Sequence, residues 1–216
     1  MKVEELHLQP LIVIIYQTGN SGEFFAHALT ESFDEITKTS VHWENKSRCK
    51  YSDYFGRSLT YNNGQVDHDY LISRTEEFLS TAKSLRKYHI GLAHPMNSSV
   101  QFIKNYLYGL PIIEITRVEE ISQKFAYQAK YAKVSPNLVI GASQEWRYEM
   151  QRHTMSPPNY LKVEWSDLIL DNTEQIFQKI QNFLNITGNQ QKFKELVEDY
   201  KHRNNDLLER VYAMQP

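Results

Sequence analysis

Three groups of residues have the types and spacing to do chemistry on an anionic substrate. Gln17, Thr18, Gly19, Asn20, Ser21, Gly22 and Glu23 stand directly after an apolar run at 11–16 and before an apolar-periodic stretch that opens with Phe24. Glycines let a backbone approach an anion closely, and the N–H groups of a helix start face it with the positive end of the helix dipole. Glu23 fits the same frame as a first-turn carboxylate that favours the dipole. His94 closes a short apolar segment just before Pro95. Its near-neutral intrinsic pKa suits a general base, although a histidine at a strand end also serves simply by bonding a neighbouring carbonyl. Arg117 ends a third apolar run, and its planar fork matches a phosphate bidentately, better than a lysine would. No Gly-Lys-[Ser/Thr] completes the 17–23 loop. The loop therefore reads as an anion site but not as that of an ordinary nucleoside triphosphatase.

Those groups need a scaffold that brings distant segments to one edge. Residues 11–16 form a short continuous apolar run, the pattern of a strand covered on both faces. A second strand is expected at 89–94, stopped by Pro95, a third at 110–116 and a fourth at 160–165. Helical spacing follows each of them. Leu71, Phe78, Leu79, Ala82 and Leu85 mark one helix, and another runs from a cap at Asn97 or Ser98 to Gly109. Val118, Ile121, Phe125, Ala129 and Ala132 mark a further helix, and residues 144–152 another, before the break at Pro157 and Pro158. Ile176, Phe177, Ile180, Phe183 and Leu184 form the stripe of the helix after the fourth strand. One last amphipathic helix is expected to carry Phe193, Leu196, Val197, Tyr200, Leu207 and Val211. Strands alternating with helices predict an α/β fold, a three-layer domain with a central, mainly parallel sheet. Ligands of such sheets sit beyond the carboxyl ends of the strands, which puts the 17–22 loop, His94 and Arg117 on one rim.

The bulk properties narrow the function classes. The 216 residues suit a single domain, 1–216, with a core of ordinary size. A net charge of −2 gives no basic field for nucleic acid. The single cysteine, Cys49, precludes an internal disulfide and fits a reducing compartment, and the N-terminal segment is too short in apolar residues for a signal peptide or membrane span. A cytoplasmic protein without a membrane span is the expectation. The eight histidines are scattered, with no His-x-x-x-His or Cys-x-x-Cys pair, so no metal is expected. The aromatic segment 37–66, with Trp43 and several tyrosines, reads either as a surface hairpin or as a pocket wall.

Taken in order, these strand ends resemble the sulfotransferase family. The 17–23 loop looks like the family's loop for the 5′-phosphosulfate of 3′-phosphoadenosine-5′-phosphosulfate. Ala93-His94-Pro95 resembles its Thr-His-x-Pro segment, which implies His94 as catalytic base. Ile113-Glu114-Ile115-Thr116-Arg117 is similar to the strand whose arginine joins a helix serine on the 3′-phosphate; Ser122 is the candidate serine, with Phe125 at the family's usual place. Residues 160–168 resemble the strand that ends in Tyr-Glu-Asp-Leu, and Phe183-Leu184-Asn185-Ile186 resembles Phe-Leu-Gly-Leu. The resemblance implies sulfuryl transfer from that nucleotide co-substrate to a hydroxyl or amine of a small-molecule or glycan acceptor, without a metal. It departs at the loop lysine. Aligned on Ser21-Gly22, that position holds Asn20; aligned on Thr18-Gly19, it holds Gln17. A non-catalytic nucleotide-binding module and a small-molecule kinase are the alternatives. The segments 37–66 and 134–158 are the expected walls of the acceptor site.

Overall fold

A computed structural model describes residues 10–16, 21–38, 41–44, 48–51, 88–93, 109–116 and 159–213. Its centre is a four-stranded sheet in which every neighbouring pair is parallel. The strands are β1 (Leu11–Tyr16), β4 (His89–Ala93), β5 (Ile112–Thr116) and β6 (Tyr160–Glu164), in the order β4-β1-β5-β6. All six residues of β1 are buried, as the unbroken apolar run requires of a strand flanked on both edges and covered on both faces. A separate antiparallel pair, β2 (Val41–Glu44) with β3 (Arg48–Tyr51), places a hairpin inside the 37–66 segment. The fold class is α/β, as the alternation of patterns implied.

Helices α1 (Ser21–Ser32) and α2 (Thr173–Leu184) pack on the sheet, and α3 (Gln190–Arg203) packs against both of them. Their contact is aromatic. Phe33 of the α1 end stacks on Phe177 of α2 with centroids 5.0 Å apart, Phe177 meets Phe193 of α3 at 5.4 Å, and Phe24 of α1 stacks on Tyr200 of α3 at 4.1 Å. Each ring is buried, so the pairs contribute both area and offset-stacking geometry. The stripe anticipated for α2 is the one found: Ile176, Phe177, Ile180 and Leu184 are buried, and Phe183 is packed at the margin.

Two features of the C-terminal half differ from expectation. The single last helix is two, α3 and α4 (Asn205–Ala213). At Asn204 the side-chain amide donates to the Tyr200 carbonyl at 2.8 Å, while the Asn204 carbonyl accepts from Leu207 and Leu208. Such local amide competition interrupts one ladder and starts the next, and apolar periodicity cannot register it. Between β6 and α2, residues Asp167–Asp171 form a π-helical turn that the sequence pattern does not announce.

Asn185, after α2, is the one non-glycine residue with positive φ among the described residues, at φ 52° and ψ 46°. It stands where the Phe-Leu-Gly-Leu pattern has glycine, and both residues tolerate a left-handed helix end. Asn185→Ala is therefore expected to cost about 1 kcal/mol and Asn185→Gly to be close to neutral. Denaturant unfolding of the two variants measures the difference.

His27 supplies a pH dependence. Burial holds its pKa below the ordinary 6.5, Glu31 opposes that shift, Lys192 of α3 adds to it, and Asp199 opposes it. Its Nδ1 is buried without a hydrogen-bond partner among the described residues. The unfolded chain thus takes up a proton first as pH falls. Stability is expected to drop as pH descends from the unfolded value near 6.5 toward the lower folded one, then to level off. Unfolding free energies measured across that window should show a smaller slope for His27→Gln.

Candidate functional site

The residues expected to form the site follow directly on the carboxyl edge of the sheet. The pairing puts Ala93 beside Ile15, Tyr16 beside Ile115, and Thr116 beside Glu164. The last residues of β4, β1 and β5 therefore lie side by side. They immediately precede His94, the 17–20 loop and Arg117 in the chain. Gln17, Thr18, Gly19, Asn20, His94, Arg117 and Ser122 themselves lie outside the described residues. So do residues 134–158 and, of the 37–66 segment, residues 39–40, 45–47 and 52–66, so that most of the expected acceptor walls is outside them too.

Ser21, Gly22 and Glu23 are described, and they form the first turn of α1. All three are buried. Glu23 occupies the first-turn position where a carboxylate complements the helix dipole. The first N–H groups of any helix lack an intrahelical acceptor, and in α1 those groups belong to this turn. Gly22 lies directly against the ring of Tyr16, the last residue of β1. A β-carbon there would overlap Tyr16 Cγ, Cδ1 and Cδ2, so glycine is what lets the helix start close down on the strand end.

Ser21 has a part that sequence spacing does not reveal. Trp165 Nε1 donates to Ser21 Oγ at 2.6 Å, and the Tyr200 hydroxyl lies 3.4 Å from the same oxygen. The partners are separated by 144 and 179 positions. The only hint in the sequence is chemical: an indole N–H in an apolar setting needs an acceptor. The expected fourth strand ends one residue early, because Trp165 already belongs to the helical residues that lead into Asp167–Asp171.

The far end of the rim carries polar groups of its own. Thr116 Oγ1 donates to Glu164 Oε2 at 2.6 Å across the β5–β6 pair. From the amino end of β6, the Tyr160 hydroxyl donates to Glu114, a buried carboxylate in the middle of β5. The first of these bonds ties β6 to β5 at the residue just before Arg117, and the second ties the two strands further from the rim. Among the described residues no cluster of His, Cys, Asp and Glu could hold a metal ion, and no helix is long and apolar enough to cross a membrane.

No protein-family model and no curated protein matches the chain. Among solved structures it is similar to the mouse sulfotransferase SULT7A1 complexed with PAP, at 15% identity and a TM-score of 0.47. That match covers 88% of this chain and 63% of the other, so this chain spans less than two thirds of that protein's length. It is also similar to retinol dehydratase in complex with androsterone and the inactive cofactor PAP, at 10% identity and a TM-score of 0.45, over 94% of this chain and 69% of the other.

Proposed function

We propose that the chain is a sulfotransferase-like enzyme that moves a sulfuryl group from 3′-phosphoadenosine-5′-phosphosulfate to a hydroxyl or amine of a small-molecule or glycan acceptor. One observation carries this reading. Three adjacent parallel strands, β4, β1 and β5, end at one edge, and each is followed by one of the three chemistry-bearing segments. The order β4-β1-β5 also places β1 where the chain passes first to one neighbour and later to the other. Sheets of this kind bind ligands at such a reversal.

The roles follow from chemistry. The 17–23 loop holds the phosphosulfate through backbone N–H groups, and Arg117 with Ser122 holds the 3′-phosphate. His94 takes the acceptor's proton as the acceptor oxygen or nitrogen forms its bond to sulfur. The bond from sulfur to the bridging oxygen breaks, and its electron pair leaves on the 5′-phosphate of adenosine 3′,5′-bisphosphate. In transfers of this type the protein mainly orients the reactants and stabilises charge on the moving group. A cytoplasmic setting and the absence of a resident metal belong to the same proposal.

The missing loop lysine favours one second reading, a nucleotide-binding module without turnover. Backbone donors stabilise bound donor and transition state alike, whereas a cation at the departing oxygen acts chiefly on the transition state. A screen of hydroxyl and amine acceptors with sulfur-labelled donor separates the two readings. Labelled product on any acceptor class is expected. Donor binding with no product across the screen would contradict the enzyme reading and leave the module.

A further inference from the structure

We infer that Trp165 is a positioning residue for the anion loop, acting through Ser21 and seconded by Tyr200. The inference rests on the functional reading just given and goes beyond it, because neither aromatic residue belongs to the loop. Ser21 is the first residue of α1, so whatever fixes it fixes the helix start that follows the loop in the chain. Its side chain is 2% exposed, and those of Trp165 and Tyr200 are 0% and 1% exposed. A hydrogen bond of 2.6 Å in so dry a setting holds one rotamer, since breaking it would strand an indole N–H with no water to replace the acceptor.

The first turn of α1 is thereby gripped from three directions. The Tyr16 ring lies under Gly22, the Trp165 indole reaches Ser21 from the end of β6, and Tyr200 of α3 lies beside Ser21 and stacks on Phe24. A general structural role would need only the ring's bulk. The polar tip directed at Ser21 does more, because it sets the conformation of the turn whose N–H groups the anion requires. Anion sites gain affinity when such donors are held in place before the ligand arrives.

The test compares full-length Trp165→Phe with Phe193→Leu, a core change in α3 remote from Ser21. In ligand-free protein, amide exchange of residues 24–28 is measured by mass spectrometry. Affinity for adenosine 3′,5′-bisphosphate is measured by calorimetry. Trp165→Phe is expected to speed exchange in α1 and to raise the dissociation constant roughly tenfold, the scale of one lost buried hydrogen bond. Phe193→Leu should leave both at wild-type values once its loss of stability is subtracted. Equal exchange and equal affinity in the two variants would overturn the inference. Should Trp165→Phe fail to fold, Ser21→Ala removes the same bond from the smaller partner, and the same two readings decide. A wild-type protein that binds no bisphosphate would overturn the functional reading and the affinity half of this one. The exchange data would still show whether the indole holds the turn.

Discussion

Replacing Gly22 by alanine is expected to be the most damaging small substitution in the described part of the chain. The added β-carbon would fall inside the contact distance of three Tyr16 ring atoms. Tyr16 is 3% exposed, at the end of a strand buried along its whole length, so its ring has no open space to enter. The helix start must rise instead, taking Ser21 off the Trp165 indole. Overpacking of a dense core usually costs about 1–3 kcal/mol, and the lost buried hydrogen bond adds about 1–3 kcal/mol. Against a total stability of about 5–15 kcal/mol this is a large fraction. Denaturant unfolding should show a lower midpoint, and bisphosphate binding should be lost with it. Gly188→Ala offers the contrast. Its β-carbon would meet Phe33 ring atoms at 2.5 Å and the Ser32 carbonyl at 2.9 Å, at the opposite end of α1. It should lower stability while sparing affinity in the molecules that remain folded. Wild-type stability in Gly22→Ala would contradict the close approach of α1 to β1.

The second large effect concerns turnover. If His94 accepts the acceptor's proton, His94→Asn should reduce kcat by roughly 10²–10⁴ on an acceptor found in the screen, with donor binding almost unchanged. Asparagine keeps a polar group of similar reach but cannot take a proton near neutral pH. The split between kcat and donor affinity is the informative part. A structural histidine at a strand end would lower stability and both kinetic parameters together, and normal turnover would remove it from the mechanism. The residue before it, Ala93, closes β4 beside Ile15, which keeps the experiment anchored to a defined strand end.

Much of the fold was legible because burial leaves a periodic trace. The unbroken run at 11–16, the 110–116 run and the stripe Ile176, Phe177, Ile180 and Leu184 each became the element they announced. Residues 110 and 111 stayed outside β5, Pro111 having no N–H to give a ladder. The break at Asn204 and the π-helical turn escaped because they depend on local hydrogen bonds that hydropathy does not encode. The site divides in the same way. That the strands preceding residues 17, 94 and 117 end side by side followed from the alternation of strands and helices, a topological property. The support behind Ser21 did not, because a contact between positions 144 apart leaves no spacing to read. Asn185 shows a subtler case: the sequence departs from glycine, yet the backbone keeps the left-handed conformation that glycine would supply.

We propose that the shared edge of β4, β1 and β5 carries two separated anion sites, the 17–23 loop and Arg117. Calorimetric titration with adenosine 3′,5′-bisphosphate and with ATP, on wild type and on Arg117→Ala, tests it most directly. The bisphosphate places one phosphate at each end of its nucleoside, whereas ATP concentrates its charge at one end. Wild type is expected to bind the bisphosphate more tightly, and Arg117→Ala to weaken that binding by about 1.5–3 kcal/mol, the scale of a charge-assisted hydrogen bond. The loss should be smaller for ATP. Equal or tighter binding of ATP by wild type, with no differential effect of Arg117→Ala, would contradict the account.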